Sequence, residues 1–252
     1  MTLVWLPFDP AELGDPPATF DYEVVPSVEH VPASVRDVEI FVPPYSVGPE
    51  VRDVLPRMSS LRLVQTLTAG VDNIRDAVPA GVQLCNGRGI HDTSTAELVL
   101  TLTLASLRGV PGFVRSQDRH RWDWGWHESL ADKTVLIVGY GAIGAAVEAR
   151  LAPFECAIVR VARNARDGVH PISELSSLLP DADVVVLVLP LTDETRGLAD
   201  AAFLGSMKEG ALLVNVARGP VVDTGALVHA LQAGRIRAAL DVVDPEPLPE
   251  HS

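Results

Sequence analysis

Three glycines, Gly139, Gly141 and Gly144, stand at GxGxxG spacing directly after the apolar run 135–138 and directly before a helical pattern. In that context the first glycine permits a tight turn, the second lets a pyrophosphate approach the backbone, and the third allows the helix to pack closely on the strand. The segment Gly139, Tyr140, Gly141, Ala142, Ile143 and Gly144 is therefore assigned to a dinucleotide, whose anion its free amides would face. A glycine turn without a ligand is the competing reading. It is weakened because strand, turn, helix and second strand follow in register. About 20 residues beyond the glycines, NAD-preferring sites usually place an acid that takes the ribose hydroxyls. Here Ala162 stands, followed at once by Arg163, Asn164 and Arg166 as donors suited to an extra 2′-phosphate. The pattern favours NADP over NAD as cofactor, against the alternative of a solvated basic loop.

The elements that must position these groups read as two units. In the first, short apolar runs at 3–6, 22–25, 38–42, 61–67 and 82–85 look like strands, while Pro10, Pro16, Pro17, Pro32, Pro43, Pro44 and Pro49 leave its helices weakly written. A helix is predicted from Ser94, where Ser94 and Glu97 match a capping box, to about Arg108, crossing from one unit to the next. The boundary is placed near Gly87, giving domains over 1–86 and 87–252. In the second unit, buried strands are expected at 134–138, 157–161, 183–189, 211–216 and 236–242. Helices at 142–152, 173–179, 199–207 and 224–233 would connect them. The fold class is α/β with two doubly wound domains, the second of Rossmann type.

Composition narrows the partners. The 252 residues are 47% hydrophobic with a formal net charge of −13, which argues against nucleic acid and acidic membranes. No apolar run approaches the roughly 18 residues of a membrane span, and the opening residues carry acid rather than a basic signal, so cytoplasmic residence is expected. Cys85 and Cys156 lie far apart in apolar contexts and read as buried reduced thiols; no metal site is suggested. Trp122, Trp124 and Trp126 would share one face of an extended segment, where packing at a domain or subunit contact is preferred to a lid. His91, His120 and His127 read as structural.

The motifs VLPLT (188–192), NVARGPVVD (215–223), ALDV (239–242) and PEPL (245–248), with AGVD (69–72) and Ala96-Glu97, appear in this order along nearly the whole chain. As a set they resemble the D-2-hydroxyacid dehydrogenases. The resemblance implies a flavodoxin-like substrate domain beside the Rossmann domain, and a homodimer. It also implies transfer of hydride between NAD(P)H and a small 2-oxo acid, of the glyoxylate or hydroxypyruvate type. It places Leu189, Pro190, Thr195, Val216, Ala217 and Arg218 around the cofactor, with Asp241 on the nicotinamide carboxamide. Arg218 would also be catalytic, because its planar fork can hold the carboxylate and polarise the 2-oxo group. Ala69 and Gly70 are implied to bind the substrate carboxylate through backbone amides. Glu246 matches the acid that keeps a catalytic histidine protonated and oriented.

In that family the histidine belongs to a Pro-His pair beyond the PEPL stretch. The chain is expected to stop short of it, to leave the first domain incomplete at its C-terminus, and to turn over slowly. His251 follows Glu250 without the preceding proline and is not given the role. Two other enzyme readings rank lower. Oxidation of 3-phosphoglycerate lacks a basic residue in 65–73, and formate oxidation would place an amide where Glu246 stands. A non-catalytic dinucleotide-sensing protein is the reading from a different class, opposed by the presence of Arg218 and Glu246.

Overall fold

The computed structural model describes residues 1–45 and 48–250; Ser46, Val47, His251 and Ser252 lie outside them. The chain divides into two compact units, Met1–His91 and Asp92–Ser252. The break falls after the expected Gly87 for a physical reason. The Gly87 amide donates to the Thr68 carbonyl at 2.9 Å, which holds this residue in the first unit.

The first unit is a parallel sheet of β1 (Thr2–Leu6), β2 (Phe20–Val24), β3 (Val38–Phe41), β4 (Leu63–Gln65) and β5 (Gln83–Cys85). Its order, β2-β1-β3-β4-β5, is that of flavodoxin-like folds. Apart from α1 (Pro49–Val54), the connections contain 3-10 turns at Pro10–Leu13, Ala33–Arg36, Leu55–Arg57 and Arg75–Ala77. Proline lacks the amide that a longer α-helix would use, so three of the first unit's prolines, Pro10, Pro49 and Pro56, sit at helix starts, where that amide has no partner anyway. Trp5, Phe41, Leu55, Val64 and Ile74 form the buried centre. The Trp5 ring meets Phe41 edge-on at 6.2 Å, and its indole N–H donates to Glu23 at 2.9 Å.

The second unit opens with α2 (Asp92–Leu107) and α3 (Val110–Asp118) and continues through β6 (Thr134–Val138), α4 (Ala142–Leu151), β7 (Ala157–Ala162), β8 (His170–Pro171), α5 (Leu175–Leu178) and β9 (Val184–Leu187). It then adds α6 (Ala201–Ser206), β10 (Leu212–Asn215), α7 (Thr224–Gln232) and β11 (Arg237–Leu240). The parallel sheet has the order β8-β7-β6-β9-β10-β11, which is the Rossmann order with β6 as first strand.

Period-two alternation explains how one sheet serves two cores. Leu136, Val138, Val185, Leu187 and Leu213 face α6 and α7, while Val135, Ile137, Val184, Val186, Leu212 and Val214 face α2 and α4. Both faces are apolar, so the strands read as continuous hydrophobic runs. Asp200 and Asp223 cap α6 and α7 by accepting from the Phe203 and Ala226 amides at 2.8 and 2.9 Å.

Three details depart from expectation. Helix α2 begins at Asp92, so Ser94 lies inside its first turn instead of capping it. Helix α3 was not foreseen because Pro111 and Gly112 argue against one; Pro111 is tolerated in the first turn. Cys85 and Cys156 are free but half-buried rather than buried. No single helix among the described residues is long and apolar enough to cross a membrane.

Candidate active site

The glycine turn sits where the strand order reverses, between β6 and β9, at the carboxyl ends of the strands. Ligands of open α/β sheets bind at this switch point. Each glycine has its own steric reason. Gly139 holds φ at +106°, and a Cβ on it would lie 2.7 Å from the Val188 carbonyl and 2.8 Å from the Leu189 nitrogen. The turn is thereby pressed against the loop that follows β9. A Cβ on Gly144 would come within 3.0 Å of the Gly139 oxygen, so α4 packs tightly on the turn. Around Gly141 nothing lies within 4 Å of that position; its side is open. Among the described residues no side chain caps the ten-residue α4. Its first-turn amides and positive dipole end can therefore hold a diphosphate, and the residues present fit a dinucleotide.

The turn is tied to the end of β7, because the Gly139 and Tyr140 amides both donate to the Val161 carbonyl, at 2.9 and 2.8 Å. This brings the segment from Ala162 to Arg166 beside it. Arg166 donates to the Tyr140 carbonyl and lies 5.5 Å from the centre of the Tyr140 ring. Arg163 and Asn164 are exposed. The Glu194 carboxyl is held below its ordinary range, first by a hydrogen bond from Thr192 and more weakly by the Arg163 charge.

A cluster that sequence reasoning missed braces the same turn. Glu148, on α4, accepts from Arg160 Nε at 2.7 Å and from the Tyr140 hydroxyl at 2.5 Å. The Arg160 hydrogen bond pulls the Glu148 carboxyl below its usual value, and donation to Glu148 pushes the Tyr140 phenol up. The i, i+8 spacing of Tyr140 and Glu148 spans a turn and a helix, so no local rule pointed to it.

Beyond β9, Leu189 is buried and Pro190 exposed. The Thr195 hydroxyl donates to the Pro190 carbonyl at 2.7 Å and accepts from the Thr192 amide at 2.8 Å, so it is engaged in shaping this loop. Beyond β10, Val216 and Ala217 are buried and Arg218 is half-buried. Asn215, 1% exposed, holds that loop: it accepts from the Ala217 amide at 3.0 Å and donates to the Arg218 carbonyl at 3.1 Å. Its buried amide at a strand end, three residues ahead of an arginine, is the signal that sequence reasoning quoted but gave no role.

A Cβ on Gly219 would sit 1.9 Å from the Val243 oxygen, so the Arg218 loop lies directly on the segment that follows β11. Thr224 fastens the two by donating to the Asp244 carbonyl at 2.6 Å. The Asp241 amide donates to the Asn215 carbonyl at 2.9 Å, which places Asp241 at the same end of the sheet. Glu246 is exposed in the segment after it. Ala69 and Gly70 lie apart from all of these in the chain, in the first unit's loop after β4.

Residues 100–252 match the profile of the D-isomer specific 2-hydroxyacid dehydrogenase, NAD binding domain. The chain belongs to this family. As a D-2-hydroxyacid dehydrogenase it is a nicotinamide-dependent oxidoreductase, and its cofactor is NAD(P). It is 36% identical over 252 residues to a glyoxylate reductase of Thermococcus kodakarensis, covering 90% of this chain and 75% of that one. To a glyoxylate reductase of Aeropyrum pernix it is 38% identical over 217 residues, 79% of this chain and 65% of the other. Among solved structures, a D-isomer specific 2-hydroxyacid dehydrogenase from Xanthobacter autotrophicus Py2, in complex with NADPH and MES, superimposes with a TM-score of 0.83. It is 31% identical and is matched over 100% of this chain and 83% of its own. An NADPH-dependent glyoxylate/hydroxypyruvate reductase from Sinorhizobium meliloti, in complex with NADP and malonate, gives 0.81 at 28% identity, over 99% and 82%.

Proposed function

We propose that the protein reduces a small 2-oxo acid of the glyoxylate or hydroxypyruvate type to the D-2-hydroxy acid, with NADPH preferred over NADH. The observation that supports this best is Arg218, a half-buried guanidinium on a loop fastened by Asn215 at the carboxyl end of β10. When bound, the reduced cofactor supplies a hydride to C2 of the acid. Arg218 would hold the carboxylate and the 2-oxo oxygen in one planar fork, drawing charge toward the oxygen as it becomes an alkoxide. Backbone amides of Ala69 and Gly70 would bind the carboxylate. Glu246 would keep an imidazolium acid charged, so that the oxygen leaves as a hydroxyl. Asp241 would accept from the nicotinamide carboxamide.

The preference for NADPH rests on the end of β7. Ala162 puts no carboxylate against a 2′-phosphate, and Arg163, Asn164 and Arg166 stand beside it. Arg166 is already anchored to the glycine turn through the Tyr140 carbonyl, so its charge is held near the site. Titration of both reduced cofactors should show NADPH binding more tightly. Ala162→Asp combined with Arg163→Ala should reverse the order. Equal affinities, or tighter NADH binding in the unmodified protein, would remove the proposal. Two broader expectations belong to the same reading: a homodimer, supported by the 92%, 70% and 89% exposure of Trp122, Trp124 and Trp126, and a reducing, cytoplasmic setting, supported by two unpaired cysteines.

A further inference from the structure

The loop after β4 is held by its carbonyls. Beyond the strands, the β4 and β5 chains stay zipped: the Thr66 amide donates to the Cys85 carbonyl and the Gly87 amide to the Thr68 carbonyl, each at 2.9 Å. A Cβ on Gly87 would lie 2.9 Å from the Leu67 carbonyl, so only glycine allows this approach. Side chains then add to these bonds. The Thr66 hydroxyl, on a residue 2% exposed, donates to the Thr68 carbonyl at 2.8 Å. Thr68 donates to the Gly70 carbonyl at 2.8 Å, and Asn86 Nδ2 reaches across from the other loop to the Ala69 carbonyl at 2.8 Å.

A planar trans peptide points its C=O and the following N–H in opposite directions. Fixing the carbonyls of Thr68, Ala69 and Gly70 therefore fixes the amides of Ala69, Gly70 and Val71 on the opposite sides. Among the described residues none of these three amides donates to a protein acceptor.

We infer that Asn86 and Thr68 are positioning residues for substrate: by holding the Ala69 and Gly70 carbonyls they aim the Gly70 and Val71 amides at the carboxylate of the 2-oxo acid. The inference rests on the reading of the Ala69–Gly70 loop as the carboxylate site and extends that site by the Val71 amide. Preorganised amides need no reordering when the anion arrives, whereas a loose loop loses that advantage at binding.

The test uses the full chain loaded with NADPH and titrated with oxamate, an unreactive 2-oxo acid analogue. Asn86→Ala and the isosteric Thr68→Val should each weaken oxamate about 3- to 10-fold, the range of one net hydrogen bond. Thr68→Ser, which retains the hydroxyl, should restore affinity. NADPH affinity should not move, and in turnover the KM for glyoxylate should rise with little change in kcat, as expected for lost uniform binding. Unchanged oxamate affinity in both Asn86→Ala and Thr68→Val overturns the inference and leaves the carboxylate site standing. So does a Thr68→Ser variant as weak as Thr68→Val, or a parallel loss of NADPH binding, since either marks a merely structural role. Failure of the unmodified, cofactor-loaded protein to bind oxamate overturns the carboxylate site itself, and the inference with it.

Discussion

The start of α4 after β6 and the loop after β4 each leave consecutive amides with no acceptor among the described residues, yet the two are made differently. At the first, glycines create the geometry: a positive φ at Gly139, a close helix contact at Gly144, and open space at Gly141. The helix that follows contributes its dipole end, so the site is written within six consecutive residues. At the second there is no helix to help, and Thr68 and Asn86 hold carbonyls from positions 18 residues apart. A backbone site can thus be built by steric permission or by side-chain tethering. Only the first kind leaves a spaced glycine signature.

The largest expected effect would show whether either backbone site carries substrate alone. Arg218→Ala should lower turnover with glyoxylate by about a hundredfold or more, because charge-assisted hydrogen bonds to a buried anion are worth ~3 kcal/mol. Cofactor affinity should stay near its original value. Arg218→Lys should recover little, since an ammonium lacks the planar fork. Steady-state rates near those of the unmodified protein would mean that backbone amides, not a side chain, activate the acid.

A pair of glycine variants sharpens the steric half of the comparison. Gly139→Ala puts a Cβ at positive φ against the Val188 carbonyl, and should lower both thermal stability, by about 2 kcal/mol, and cofactor affinity. Gly141→Ala meets nothing within 4 Å in the protein itself, so it should leave the melting temperature unchanged. If the diphosphate lies there, it should still weaken cofactor binding roughly tenfold. Equal stability losses would erase the distinction between a glycine required by the fold and one required by the ligand.

The smallest effect concerns the brace beneath the turn. Glu148 is held below its ordinary value of 4.5 by Arg160, so its contribution to stability is complete above that value and is lost as pH falls through the depressed folded value. The pair is partly exposed, which limits the contribution to about 1 kcal/mol or less. Denaturant melts between pH 5 and pH 2 should show a steeper loss for the unmodified protein than for Glu148→Gln. Parallel curves would show that the brace contributes orientation only.

What was legible in the chain follows the range of the forces involved. The strands of the second unit and its glycine turn depend on neighbours a few residues away, and β6 matches its expected bounds residue for residue. The first unit was harder to read because prolines broke the helical pattern while 3-10 turns replaced it. Helix α3 escaped for the opposite reason, since Pro111 is harmful in a helix interior but harmless in a first turn. By itself, then, the sequence determined the order of the second unit's main strands and the phosphate turn, because φ preferences and alternation act locally, while the candidate arginine was marked by the family resemblance of its motif. The tertiary structure alone decided that Asn86 meets Ala69, that Glu148 braces Tyr140, and that Gly219 lies on Val243. Those contacts exist only after parallel strands have been laid in a particular order, and that order joins residues whose separation along the chain carries no mark of their meeting.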